Sequence, residues 1–108
     1  MSPEFIVVIT TTSQKEDANK IAKTLLAQKL AGCIQIIGPI TSHYYWEQKI
    51  CQDDEWICLI KSSKQNYEAI ETSIQKIHPY DVPEIITLPI MAGSKDYLSW
   101  LSQQLKQD

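Results

Sequence analysis

The sequence predicts one α+β sandwich: an antiparallel sheet covered on one face by two crossover helices, with a further helix at the C-terminal end. Three observations predict it. Strand-like and helix-like periodicities succeed one another in the order βαββαβα. The first strand reads as interior to its sheet, whereas the fourth carries Pro89, whose missing N–H belongs at an edge. A length of 108 residues with 44% hydrophobic content supports one core and not two. An interior first strand and an edge fourth strand are what the ferredoxin-like βαββαβ topology requires, so residues 1–108 are read as a single domain of that type.

Each element has its own signal. EFIVVITTT, Glu4 to Thr12, is a short continuous run of β-branched and aromatic residues, as in a strand buried on both faces. Ser13 and Glu16 have capping-box spacing, and Ala18, Ile21, Ala22, Leu25, Leu26 and Leu30 follow on one helical face that ends near Gly32. Cys33–Ile50 and Cys51–Ser63 read as the arms of one long hairpin, with Gly38 and Pro39 marking a bulge. In the second arm Trp56, Cys58 and Ile60 alternate with Ile57, Leu59 and Lys61. Ser62 and Gln65 offer a second capping box before Tyr67, Ile70, Ile74 and Ile77, a helical face that Pro79 terminates. Pro83–Ile90 is the fourth strand. After Gly93, SKDYLSWLSQQLK makes the last helix, with Tyr97, Leu98, Leu101 and Leu105 inward.

The hairpin arms are far longer than the usual strand of roughly five or six residues. They leave Tyr44, Tyr45, Trp46, Ile50 and Trp56 partly uncovered, an aggregation hazard unless a partner covers them. A closed homo-oligomer that pairs these strands between subunits is therefore expected. Composition narrows the other partners. A net charge of -3 and a pI near 5.3 argue against a nucleic-acid binder. All ten basic residues are Lys, so the bidentate phosphate reader Arg is missing. No membrane partner is expected: Met1–Glu4 lacks a basic region, and the apolar run after it is too short to span a bilayer. Three cysteines without a C-x-x-C pair fit a reducing compartment, so a cytoplasmic location is expected. With only two histidines and no Ser-His-Asp, Cys-His or HExxH arrangement, no catalysis is expected.

Four segments carry a family resemblance: Ala31–Ile50 (AGCIQIIGPITSHYYWEQKI), Asp54–Ser62 (DEWICLIKS), His78–Ile90 (HPYDVPEIITLPI) and Asp96–Leu101 (DYLSWL). They resemble the CutA divalent-cation tolerance family across essentially the whole chain, most specifically in the H-P-Y-x-x-P-E and S-x-Y-x-W-x-x-K-I blocks. The resemblance implies a ferredoxin-like subunit in a stable homotrimer, a tolerance role toward copper and other divalent cations, and copper binding with no required cofactor. The alternative is a trimeric signalling or interaction scaffold akin in architecture to the PII proteins, although a Gly-rich phosphate loop is missing.

Candidate ligands are few. His78 is the best imidazole, held by Pro79 at a helix end and suited to Cu(II) or Zn(II); its ring could instead cap that helix or pack on Tyr80. Cys33 matches a cysteine common in the family and would serve Cu(I) as a thiolate, unless it is a small core residue. Glu84 is a second donor from the same segment as His78. Some relatives carry a cysteine in the first strand and a second His before H-P-Y; here those positions are Thr10 and Ile77. Cys51 and Cys58, seven apart in one strand, point to opposite faces and cannot chelate together. His43 reads as an exposed hairpin residue, and Asp53, Asp54 and Glu55 as a solvated turn or ion-pair partners. Tyr44, Trp46, Tyr80, Tyr97 and Trp100 are expected to wall a cleft between subunits, with Ile50, Glu55 and Lys61 at the same interface. Glu47, Lys49, Glu55, Lys61 and Glu84 stand at family-typical positions and suit cross-subunit ion pairs.

Overall fold

A computed structural model describes residues 4–106. The elements run β1 (Phe5–Thr12), α1 (Lys15–Ala27), β2 (Cys33–Trp46), β3 (Lys49–Ser63), a 3-10 turn (Lys64–Asn66), α2 (Tyr67–Ile77), β4 (Ile86–Pro89) and α3 (Lys95–Gln104). The strands form one antiparallel sheet in the order β2-β3-β1-β4. This is the expected βαββαβ arrangement with one helix added, with β1 interior and Pro89 on the edge strand, opposite Ile6.

The β1–β3 register explains where the core lies. Ile6, Val8, Thr10 and Thr12 stand opposite Ser62, Ile60, Cys58 and Trp56, and this is the face on which α1 and α2 pack. Val8, Ile21, Leu25, Ile60, Ile70 and Ile74 are fully buried there. Burying each such side chain contributes roughly 1.5–3 kcal/mol. On the other face, Val7 and Ile9 of β1, Ile57 and Leu59 of β3, and Ile86 and Leu88 of β4 are only half-covered or exposed. The reading of β1 as buried on both faces is corrected to burial on one, because no layer among the described residues covers the second.

Other local readings are corrected as well. Neither capping box forms: α1 starts from Gln14 and the 3-10 turn from Ser63, each without a side-chain cap. Ser62 Oγ donates instead to the Leu30 carbonyl at 2.6 Å, tying β3 to the end of the α1 connection. The cap that does form is at α3, where Ser94 Oγ accepts from the Tyr97 N–H at 3.2 Å. The hairpin turns at Glu47–Gln48 rather than at Ile50–Cys51; both residues have positive φ, 50° and 65°, the geometry of a tight two-residue turn. Leu101 of α3 and Leu105 just beyond its end are buried as expected, but Tyr97 and Trp100 are exposed, with ring centroids 5.6 Å apart.

Beyond the bulge between Ile37 and Ile40, the hairpin continues as a two-stranded arm, Ile40–Trp46 against Lys49–Glu55. It draws the chain out to 46 Å in length against 25 and 21 Å across. Gly38 lies at this departure. A Cβ there would come within 2.5 Å of the Trp56 ring, so a residue without a side chain is needed.

Candidate functional site

The segment after α2 builds the site. The backbone of α2 ends at Ile77, and His78 takes up an extended conformation ahead of Pro79. The His78 ring is buried and held at both nitrogens: Nδ1 accepts from the Tyr80 N–H at 3.1 Å, which leaves Nε2–H to donate to the Thr11 carbonyl at 2.7 Å. The imidazole is thus the neutral Nε2–H tautomer, and it packs on the Tyr80 ring at 4.7 Å. Phe5 and Val7 turn their carbonyls toward β4, and Thr11 lies four residues beyond Val7, in phase with them. His78 therefore takes the place β4 would occupy, which is why β4 pairs only from Ile86 and not from Pro83.

Tyr80 carries the clip onward. Its phenol donates to Glu55 Oε2 at 2.7 Å. Burial, reinforced by the Glu55 hydrogen bond and opposed by one with Ser13, pushes the phenol well above its ordinary pKa. Glu55 itself is buried at 8% exposure, contrary to its reading as part of a solvated acidic turn, because β3 runs straight through Asp53–Glu55. Farther out, Tyr44 donates to Asp53, and that bond raises the Tyr44 pKa to about 12.

These side chains border an open cleft of about 520 Å³ lined by Thr11, Ser42, His43, Tyr44, Trp46, Glu55, Tyr80, Asp81, Val82 and Glu84. The structure therefore brings together Tyr44, Trp46, Glu55, Tyr80 and Glu84 of the expected set. Trp100 and Lys61 belong to a separate cluster, where Lys61 Nζ donates to Tyr97 Oη at 3.4 Å beside the open sheet face. Ile50 is exposed at the hairpin tip.

Cys33 is half-buried on β2 opposite Lys61, which itself stands opposite Val7. His78 is bonded to Thr11, four residues farther along β1, roughly 13 Å in strand rise. One chain thus keeps Cys33 apart from His78 and Glu84, and no group of three or more His, Cys, Asp or Glu able to hold a metal occurs among the described residues. Cys58 is buried in the core, which raises its thiol pKa to about 11. Sequence reasoning did not single out Thr11, Ser42, Asp81 or Val82. Ser42 alone had a signal, since it shares strand parity with Tyr44 and Trp46.

The sequence and the fold have close counterparts. A family model described as CutA1 divalent ion tolerance protein matches residues 6–104. A divalent-cation tolerance protein CutA from Yersinia pestis (strain Pestoides F) is 42% identical over 100 residues, covering 93% of this chain and 84% of that one. The crystal structure of CutA1 from Oryza sativa superposes with a TM-score of 0.95 at 36% identity, over 99% of this chain and 98% of that one. A structure described as the periplasmic divalent cation tolerance protein CutA from Archaeoglobus fulgidus gives a TM-score of 0.91 at 31% identity, over 94% and 99%. The match to the family model over nearly the whole chain, joined to these likenesses in sequence and fold, shows that the chain belongs to the CutA1 divalent ion tolerance protein family.

Proposed function

We propose that the chain acts as a non-catalytic homotrimer that binds divalent cations, copper among them, at its subunit boundaries in the cytoplasm. The observation that carries the reading is the uncovered face of the sheet. Ile37, Ile86 and Leu88 are each about half exposed there, and the hairpin adds Tyr45 and Ile50 at 75% and 73%. An apolar face of this extent, continuous with a projecting two-stranded arm, suits burial against further copies of the chain. Pairing the arm with a neighbour would also cover its exposed strand edge.

A cation site drawing on His78, Cys33 and Glu84 needs more than one subunit, because a single chain keeps Cys33 away from the other two. Glu84 is exposed on the cleft and Cys33 is a free thiol. The His78 ring reaches a metal only by giving up one of its two hydrogen bonds, to the Tyr80 N–H or to the Thr11 carbonyl, at about 1 kcal/mol, so affinity should be modest and follow the order Cu(II) above Zn(II). The reducing cytoplasm suits three free cysteines.

Light scattering behind size exclusion should report about three times 12.4 kDa. Calorimetric Cu(II) titration at pH 7.5 should show saturable binding that weakens in His78→Ala and Cys33→Ser. A stable monomer would remove the subunit-boundary site, and unchanged affinity in both variants would remove its ligands.

A further inference from the structure

We infer that the cleft beneath the hairpin arm is a binding site for a small organic cation, an alkylammonium group, seated on Glu55. Glu55 is more than nine-tenths buried, yet among the described residues its carboxylate meets no cationic side chain, only the Tyr80 phenol. A buried carboxylate is stabilised best by a positive partner. Within one subunit the cleft supplies room for one from outside, about 520 Å³, and none of that subunit's lysines lines it. Its remaining charges are Asp81 and Glu84, of the same sign as Glu55, so a cation entering the cleft is attracted at every stage.

The walls decide which kind of cation fits. Tyr44, Trp46 and Tyr80 line the cleft beside Glu55, and aromatic rings bind ammonium groups through their π faces while accommodating attached carbon. A bare divalent ion would need several oxygen or nitrogen donors converging at short range, and no such group occurs among the described residues. One deeply set carboxylate, two acids and three aromatic rings around a space of this size match instead a single positive charge on an apolar stem. Tyr80 fixes the carboxylate for this task by donating its phenol to Glu55 Oε2 at 2.7 Å. This site touches the proposed metal ligands at two points, Glu84 on its rim and His78, which holds Tyr80 from behind.

The test is a titration of the full-length protein, in its native assembly, with n-butylammonium at pH 7.5. It is followed by proton NMR of the Trp46 indole, assigned by its loss in Trp46→Leu, and by calorimetry. n-Butanol and magnesium serve as controls for an apolar stem alone and an inorganic cation alone. n-Butylammonium should bind saturably and move the Trp46 resonance, with neither control doing so. Glu55→Gln should weaken binding about tenfold, the scale of a charge-assisted hydrogen bond. Trp46→Leu, at a half-exposed position that the fold does not need, should weaken it about threefold, the scale of one cation–π contact. Equal binding of n-butanol, or n-butylammonium binding that neither substitution alters, would overturn the site. So would a lack of binding combined with loss of assembly in Glu55→Gln, which would make a neighbouring subunit's lysine the missing partner.

Discussion

Two residues show how much of the site depends on single side chains. Gly38 lies where the hairpin leaves the sheet, and Gly38→Ala would drive a methyl into the Trp56 ring. Trp56 packs against the core and also sits under Lys15, whose Nζ is 5.4 Å from its ring centroid, so it has little freedom to move aside. Denaturant unfolding of Gly38→Ala should show a loss of roughly 1–3 kcal/mol, the usual scale of overpacking. Tyr80 gives a pH prediction with a definite sign. A group whose pKa is raised on folding stabilises fully below its unfolded value, here 10.0, and that stabilisation fades as pH climbs toward the folded value. Wild type should therefore exceed Tyr80→Phe by a constant margin of about 2 kcal/mol below pH 10, the scale of a hydrogen bond to a charged group. The margin should shrink above pH 10, as measured by urea unfolding at stepped pH. A margin that grows in alkali would mean that Tyr80 is not a donor to Glu55.

At the scale of elements, the hairpin arm supplies the sharpest comparison. Ile50 and Gln103 are both exposed in the single chain, one at the arm tip and one on α3, so introducing Asp at either should be nearly neutral for an isolated subunit. Under the proposed assembly Ile50→Asp should lower the thermal midpoint by several degrees and Gln103→Asp by much less. The same elements show what a sequence can reveal. Strand order was legible because Pro89 and the β-branched run of β1 respond directly to edge and interior positions. The hairpin turn was not, because Glu47 and Gln48 adopt positive φ without the Gly or Asn that normally announces it. The S-x-x-E and S-x-x-Q spacings misled for a related reason: a hydroxyl in position to cap can be claimed by a tertiary partner, as Ser62 is by Leu30. In the site, the prolines around Tyr80 announced a fixed geometry, and that geometry is present. Glu55 looked solvated because its neighbours Asp53 and Asp54 are; only the Tyr80 contact, 25 residues away, reveals its burial.

For the whole molecule, the features left open in one chain are those that more copies would close: a half-covered sheet face, a projecting arm, and candidate metal donors held apart. If assembly and folding are coupled in this way, the unfolding midpoint should rise with protein concentration wherever unfolding is reversible. Metal binding should share that dependence, since donors from different subunits come together only in the assembly. Native mass spectrometry of the protein during Cu(II) addition reads both properties at once. The proposed function predicts a dominant species of about three times 12.4 kDa that takes up copper in steps, with copper absent from any monomer in the same spectrum. A dominant monomer, or copper carried equally by monomer and trimer, would contradict the placement of the cation site between subunits.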